Sequence, residues 1–278
     1  TNQVDLGAAR GRGISVFNSP FSNTRSVAEL TIAEIVSLHR RLVEKSMQLH
    51  QGRWEKSVAH AHEVRGQTLG IVGYGHIGSQ VSVLAESMGM RVLYHDIAPR
   101  LPLGNAQAAE SLDAVLETAD VVTLHVPATA LTEGMIGTEQ LARMRRGSYL
   151  INNARGSSVD LDALADALRS GPIGGAALDV YPGEPTASSA DFSCAVKGLA
   201  NVILTPHIGG STIEAQQAIA REVAAKLVAF LERGSTAGAV NMPEVDLPRP
   251  RLDHPRIAHI HRNVPGVLSS MHAKFAEL

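Results

Sequence analysis

Residues 68–78 read Thr68-Leu69-Gly70-Ile71-Val72-Gly73-Tyr74-Gly75-His76-Ile77-Gly78, a short apolar run that leads directly into three closely spaced glycines. The apolar run predicts a buried strand, and the spacing of apolar residues from Ile77 to Met88 predicts that a helix follows at once. An acid, Asp96, lies 96 − 78 = 18 residues beyond the third glycine, at the tip of the next predicted strand. In this context the G-x-G-x-x-G motif indicates a dinucleotide-binding unit.

Each glycine of the motif is required at its position for a structural or chemical reason. Gly73 permits the tight turn between strand and helix, and Gly78 allows close contact between them. Gly75 lets backbone amides, such as those of His76 and Ile77, approach a pyrophosphate at the positive end of the helix. The alternative is a glycine-rich turn that binds nothing. The presence of three glycines followed by a well-placed acid disfavours this alternative.

The acid sets the expected cofactor. The Asp96 carboxylate would accept hydrogen bonds from the adenosine ribose and repel a 2′-phosphate, so we expect NAD rather than NADP. His125 ends another predicted strand and precedes Val126 and Pro127. We expect His125 to line the adenine slot rather than to transfer protons.

Short apolar runs alternate with helix-spaced stretches from Thr68 to Thr205. Runs as continuously apolar as these are buried on both faces, as in a parallel sheet covered by helices. The fold class is therefore α/β, with a Rossmann-type doubly wound parallel sheet. Long helices are predicted from Val27 to His50 and from Thr212 to Arg233. The predicted strands are Leu69–Val72, Val92–Tyr94, Val121–Leu124, Tyr149–Ile151, Ala176–Val180 and Val202–Leu204.

Polar residues that follow these strands are the catalytic candidates, because open α/β sheets bind ligands at the carboxyl ends of their strands. They are Arg155, Asp179, Glu184 and His207. Oxidation of an alcohol needs a base for the hydroxyl proton, which suits His207, and a cation for the substrate carboxylate, which suits Arg155. Glu184 can hold the imidazole and favour its protonated form. Taken singly, His207 could be an ordinary surface or core histidine, and Arg155 and Glu184 could form a structural ion pair.

The amino-acid composition excludes several functional classes of protein. The 25 Lys and Arg residues against 27 Asp and Glu give a formal charge of −2, which is not the footprint of a nucleic-acid binder. The single cysteine, Cys194, excludes an intrachain disulfide framework and favours the cytoplasm. We expect no membrane span, no signal peptide and no metal site, since neither a long apolar run nor a Cys/His cluster is present. His39, His50, His60 and His62 are expected to be solvated.

The motifs together resemble the D-isomer-specific 2-hydroxyacid dehydrogenases, and within them the serine-regulated branch that acts on 3-phospho-D-glycerate. The resemblance runs through nearly the whole chain and is carried by residues 18–30, Gly73 to Gly78, His125-Val126-Pro127, Asn152 to Gly156, Asp179-Val180-Tyr181 with Glu184-Pro185, and residues 205–212.

This resemblance implies roles for the site residues. Arg155, Glu184 and His207 correspond to the substrate-binding and catalytic residues, with Glu184 and His207 as the acid–base pair. Asp179 corresponds to the residue that contacts the nicotinamide carboxamide. The implied reaction is the NAD-dependent oxidation of 3-phospho-D-glycerate to 3-phosphooxypyruvate, the first step of L-serine biosynthesis. The full set of expected cofactor contacts is Gly73, Gly75, His76, Ile77, Gly78, Asp96, His125, Val126, Pro127, Ala154, Arg155, Asp179, His207, Gly209 and Gly210.

The resemblance also implies a domain organisation. Residues 1–22 would be the tail of the first segment of a flavodoxin-like substrate domain, 23–209 the NAD-binding domain, and 210–252 the second substrate-domain segment and linker. Residues 253–278 would begin a truncated ACT-type α+β regulatory domain, in which His261 and Asn263 correspond to ligands of the effector L-serine. Because the chain begins at Thr1 without Met and ends inside a predicted helix, we expect a fragment, which could itself be inactive.

Alternatives remain for substrate, function and assembly. The substrate, a small anionic 2-hydroxy acid, could instead be glycerate, lactate or 2-hydroxyglutarate, or the protein could be a non-catalytic NAD-sensing scaffold or corepressor. The resembling family dimerises through its nucleotide domain, so we expect a homodimer or homotetramer, and Trp54 in a polar stretch suggests an interface anchor. Trp54 could equally cover the core of its own chain.

Overall fold

The structure is a computed structural model that describes residues 4–185, 191–248, 261 and 263–277. The chain divides into two compact units. The larger unit is Phe21–Gln216, and the smaller unit combines Thr1–Pro20 with Gln217–Leu278. The predicted domain boundaries remain a prediction.

The larger unit is built on a seven-stranded, entirely parallel sheet. The strand order β3-β2-β1-β4-β5-β6-β7 places β1 and β4 side by side at the point where the order reverses, as in a Rossmann sheet. The predicted fold class is confirmed. The strands are β1 (Thr68–Val72), β2 (Arg91–His95), β3 (Gln107–Ala108), β4 (Val121–Leu124), β5 (Ser148–Asn152), β6 (Ile173–Leu178) and β7 (Val202–Leu204).

Helices cover both faces of this sheet. Alternate strand residues point to opposite faces, so Leu69 and Ile71 pack in one apolar cluster with α2 and α4, whereas Val72 packs in a second cluster with α5, α6 and α7. A sheet buried on both faces explains the continuously apolar strands. Among the described residues, the α-helices of this unit are α2 (Thr24–Arg40), α3 (Leu42–His50), α4 (His76–Ser87), α5 (Leu112–Thr118), α6 (Thr138–Arg143) and α7 (Leu161–Ser170). Elsewhere along the chain are α1 (Leu6–Gly11), α8 (Ile213–Arg233) and α9 (Val267–Ala276).

The prediction of one helix from Val27 to His50 is wrong, because the chain breaks between α2 and α3 at Arg41. Arg41 has φ 51° and ψ 37°, a left-handed conformation that ends a helix. Its guanidinium bonds the Glu44 carboxylate at 2.6 and 2.7 Å and the Ala59 carbonyl oxygen at 3.3 Å. These contacts stabilise Arg41 in a left-handed conformation that the sequence pattern does not predict.

Two strand details also differ from the prediction. β6 ends at Leu178, so Asp179 and Val180 lie just beyond the strand. The edge strand β3 was not predicted, because it is only two residues long and both are exposed, which leaves no apolar pattern to recognise.

In the smaller unit, the N-terminal segment pairs with residues that follow α8. Phe17 forms a β-bridge with Ala239, and its ring packs edge-on against Phe230 at 5.7 Å between centroids. The Asn241 side chain accepts from the Val16 amide at 2.9 Å and donates to the Ile14 carbonyl at 2.8 Å. Residues 253–260, 262 and 278 of the predicted regulatory segment lie outside the described residues.

Candidate active site and cofactor site

The glycine turn after β1 has the geometry that its sequence predicts. Gly73 has φ 93°, and a Cβ there would lie 2.5 Å from the His125 carbonyl oxygen. A Cβ at Gly78 would lie 2.2 Å from the Gly73 carbonyl oxygen. Both positions therefore exclude any side chain. A Cβ at Gly75 would meet nothing within 4 Å, so the space above the start of α4 is open to a ligand.

Asp96 lies beside this turn because β1 and β2 are neighbours, with Val72 opposite His95. Its Oδ2 accepts from the Tyr74 amide at 2.8 Å, and its Oδ1 accepts from the Ala98 amide at 2.9 Å. Arg100 Nε lies 3.4 Å from Oδ2. The carboxylate is thus held at the end of β2, next to the open start of α4. An open helix N-terminus with a fixed acid beside it fits the pyrophosphate and ribose of a dinucleotide.

His125 follows β4 and contacts the glycine turn through its backbone. Its Nε2 lies 3.1 Å from Thr123 Oγ1, and its Nδ1 is buried without a partner among the described residues. Burial lowers the pKa of His125 to about 3, so the ring is neutral at physiological pH. A neutral, half-buried imidazole suits the predicted role in lining a slot and does not suit proton transfer.

The imidazole of His207 and the carboxylate of Glu184 form a hydrogen-bonded pair. His207 Nδ1 lies 2.7 Å from Glu184 Oε2, and the Tyr181 amide donates to Glu184 Oε1 at 2.9 Å. The His207 side chain is 54% exposed, so the pair is accessible to a ligand. His207 has φ 54°, an uncommon conformation for a residue with a Cβ and one that is concentrated at functional sites.

The Asp179 carboxylate anchors the loop that carries His207. Its Oδ1 accepts from Thr205 Oγ1 at 2.6 Å and from the Ile208 amide at 2.8 Å, while Oδ2 accepts from the Gly209 amide at 2.7 Å. Asp179 is only 1% exposed. These three bonds hold both sides of His207 in place and account for the strained backbone there.

Arg155 is an exposed residue that follows β5, after the buried residues Asn153 and Ala154. The Asn152 side chain bonds both the Ala154 amide, at 3.1 Å, and the Arg155 carbonyl oxygen, at 2.9 Å. A Cβ at Gly156 would lie 2.1 Å from the Tyr181 backbone, so the loops after β5 and β6 are in direct contact. Since β5, β6 and β7 are adjacent, Arg155, Glu184 and His207 come from the ends of three neighbouring strands.

Gly210 and Pro127, two further residues expected to contact the cofactor, make contacts of their own within the chain. A Cβ at Gly210 would lie 2.6 Å from Asn23 Nδ2, so this glycine packs against the start of α2. Pro127 is exposed, and its carbonyl oxygen accepts from Thr132 Oγ1 at 2.6 Å. The expected effector residues His261 and Asn263 are exposed and belong to the smaller unit.

A buried polar group that the sequence pattern did not predict lies behind the Arg155 loop and is formed by Thr31, Glu34 and Asn153. The prediction that His39 is solvated is wrong. His39 is buried, bonds the Ile35 carbonyl oxygen through Nδ1 at 2.8 Å and packs on the Tyr149 ring. Polar residues at helical spacing on the apolar side of α2 were the available signal.

A Rossmann sheet with this glycine turn, acid and His–Glu pair defines an NAD-type dehydrogenase site. The protein-family model described as "D-isomer specific 2-hydroxyacid dehydrogenase, NAD binding domain" matches residues 32–209 of the chain. The chain belongs to this family.

Similar proteins agree with this assignment. The chain is 54% identical over 277 residues to the D-3-phosphoglycerate dehydrogenase of Dictyostelium discoideum and 52% identical to that of Escherichia coli K12. All of this chain is matched, and it spans 68% and 67% of these relatives. Aquifex aeolicus D-lactate dehydrogenase, solved with NAD and lactic acid, superposes with a TM-score of 0.77 at 31% identity, covering 88% of this chain and 78% of that one. No described helix is both long and apolar enough to span a bilayer.

Proposed function

We propose that the chain carries the NAD-dependent oxidation of 3-phospho-D-glycerate to 3-phosphooxypyruvate, the first step of L-serine biosynthesis. The observation that carries this proposal is the 2.7 Å contact between His207 and Glu184 at the carboxyl edge of the sheet. The substrate follows from the two relatives at 54% and 52% identity, both of which are D-3-phosphoglycerate dehydrogenases.

The His207 ring is oriented to act as the base. With Nδ1–H donating to Glu184, the Nε2 lone pair is available to the substrate hydroxyl. Proton transfer to Nε2 creates an imidazolium, which the Glu184 carboxylate stabilises. NAD, when bound, supplies the hydride acceptor.

Arg155 would bind the substrate carboxylate through its planar guanidinium, which offers two parallel N–H donors. Around the cofactor, Gly75 and the amides at the start of α4 would hold the pyrophosphate, and Asp96 the adenosine ribose. His125 would line the adenine slot. Asp179, whose carboxylate already accepts three bonds, would approach the nicotinamide carboxamide while holding the loop.

Turnover and cofactor binding test the proposal together. His207→Ala should abolish oxidation of 3-phospho-D-glycerate because the base is lost, and NADH affinity should stay within about twofold because the proposed pyrophosphate and ribose contacts at Gly75 and Asp96 are unchanged. A panel with glycerate, lactate and 2-hydroxyglutarate identifies the substrate. NADH binding without turnover of any hydroxy acid by the unmodified chain would contradict an active enzyme and favour an inactive fragment or a sensing scaffold.

The proposed homo-oligomer would use the α3 surface, which we define as the exposed apolar side chains Leu42, Met47, Leu49, Trp54 and Val58. Trp54 is 82% exposed, so it does not cover the core of its own unit. Exposed aromatic residues of this kind are typical interface anchors. Trp54→Ser should shift the solution mass toward the monomer; an unchanged mass would contradict the anchor role.

The protein would work in the cytoplasm. L-serine would act as its effector through His261 and Asn263. The correspondence of His261 and Asn263 to effector ligands of the similar family supports the effector role. L-serine should inhibit turnover of a protein that carries the whole regulatory region, and His261→Ala should weaken that inhibition without changing uninhibited turnover. Equal inhibition of both proteins would contradict it.

A further inference from the structure

Glu34 is a buried carboxyl group that the proposed reaction does not use. It lies on α2, one turn after Thr31, and is only 3% exposed. Its partner is Asn153, two residues before Arg155. Asn153 Nδ2 donates to Glu34 Oε2 at 2.6 Å and to Thr31 Oγ1 at 3.0 Å. The Arg155 loop is thereby tied to the helix behind it.

The hydrogen bonds of this pair do not balance if the carboxyl group is ionised. Both N–H groups of the Asn153 amide are used, so its Oδ1 needs a donor. Both Asn153 Oδ1 and Glu34 Oε1 are buried and have no partner among the described residues. Two unpaired buried acceptors in one amide–carboxyl pair are costly. A single proton on Oε1 turns one of them into a donor for the other.

The surroundings of Glu34 favour that proton. Burial raises the pKa of Glu34 to about 7, against the opposing effect of the Asn153 hydrogen bond, and the Asp179 carboxylate raises it further. Among the described residues, the Tyr181 hydroxyl also interacts electrostatically with Glu34. The buried residues of α4, which packs on α2, are Gly78, Val81, Ser82 and Ala85, none of them charged.

We propose that Glu34 is a positioning residue that holds a proton in solutions more acidic than neutral and pairs with Asn153 as a carboxylic acid with an amide, through two hydrogen bonds. The pair holds the loop from Asn153 to Arg155 in the orientation that binds substrate. Loss of the proton leaves two acceptors facing each other in a dry site, and the loop loosens. The effect on substrate binding rests on the role proposed for Arg155.

The substitution Glu34→Gln removes the titratable proton but keeps the size and shape of the side chain. A glutamine amide can accept from Asn153 Nδ2 and donate to its Oδ1 at every pH, so the pair becomes permanent. With the unmodified chain, KM for the hydroxy acid should rise above pH 7, relative to Glu34→Gln, by up to about tenfold per pH unit. KM for NAD should change equally in both proteins. Matching KM profiles for the hydroxy acid would overturn the positioning role.

Infrared spectroscopy tests the proton without any turnover. The difference spectrum between the unmodified chain and Glu34→Gln at pH 6 should contain the C=O band of a protonated carboxylic acid, and the band should fade as pH rises through about 7. Glu29→Gln is the matched control, because Glu29 lies exposed on the same helix in a surface pair with Arg25. Absence of the band at pH 6 would overturn the proposal even if the chain proves to be an active dehydrogenase.

Discussion

His207 Nδ1 lies 2.7 Å from Glu184 Oε2, and the two residues come from loops that follow different strands of the sheet. The second Glu184 oxygen accepts the Tyr181 amide at 2.9 Å, so the carboxylate is held from both sides. On the other side of the pair, the Asp179 carboxylate anchors the residues before and after His207. The imidazole is therefore positioned before any substrate arrives, which is what an efficient base requires.

Glu184→Gln should lower kcat about 10²- to 10⁴-fold, the usual contribution of a positioned acid–base group. The glutamine can donate to Nδ1, which moves the imidazole proton to Nε2, where the lone pair is needed. NADH affinity, measured by fluorescence titration, should stay within about twofold. Glu139→Gln, on an exposed part of α6, is the control and should leave kcat unchanged. Equal kcat for Glu184→Gln and the control would contradict the pair's role.

Asp179→Asn should destabilise the larger unit by about 2 to 3 kcal/mol, because the new NH₂ group faces backbone and hydroxyl donors in a buried site. Urea unfolding gives the free energy, and kcat should fall as well because the His207 loop loses its anchor. Asp160→Asn is the matched control. Asp160 caps α7, and asparagine caps helices about as well as aspartate, so its unfolding free energy should barely change. Similar losses in both variants would argue against a special role for Asp179.

Substitutions of Gly75 and Gly78 should impair the protein in different ways, the first by weakening NADH binding and the second by lowering stability. Gly75→Ala meets no neighbour within 4 Å, so the protein should keep its melting temperature while its NADH affinity falls more than about tenfold, since the methyl group occupies the approach of the pyrophosphate. Gly78→Ala places a methyl group 2.2 Å from the Gly73 carbonyl oxygen and should cost about 1 to 3 kcal/mol of unfolding free energy. Unchanged NADH affinity in Gly75→Ala would contradict cofactor binding at this turn.

The unfolding free energy should depend on the charge state of Glu34. In the folded chain the pKa of Glu34 is raised from 4.5 to about 7, so between these values the folded state holds a proton that the unfolded chain has released. Stability linked to Glu34 is thus fully present below pH 4.5 and is lost as pH rises to about 7. The loss amounts to about 3 kcal/mol.

Glu34→Gln cannot ionise and should not show this loss. Urea unfolding of both proteins from pH 4.5 to 8 isolates the effect as a difference that grows with pH and levels off above about 7. Other titrating groups are common to both proteins and cancel. A difference that stays constant across this range would mean that Glu34 titrates normally in the folded chain.

Much of the fold could be predicted because its signals are local. The strands β1, β2, β4, β5 and β7 coincide with continuous apolar runs or extend them by a residue or two, and α4 begins one residue before its predicted start. The break at Arg41 was not predicted, and one of the side-chain bonds that accompany its left-handed backbone reaches Ala59, 18 positions along the chain. Burial of His39 likewise depends on the ring of Tyr149, which no local pattern reveals.

The sequence by itself determined the α/β class, the glycine turn with its acid, and the identity of Arg155, Glu184 and His207 as candidates. These features depend on periodicity and on motif spacing, which are properties of neighbouring residues. Only the tertiary structure decided how the candidates are held: the imidazole against Glu184, its loop on Asp179, and the Arg155 loop on Glu34 through Asn153. Those contacts join residues up to 119 positions apart, and their energies come from burial and from hydrogen-bond balance, which exist only once the chain is folded.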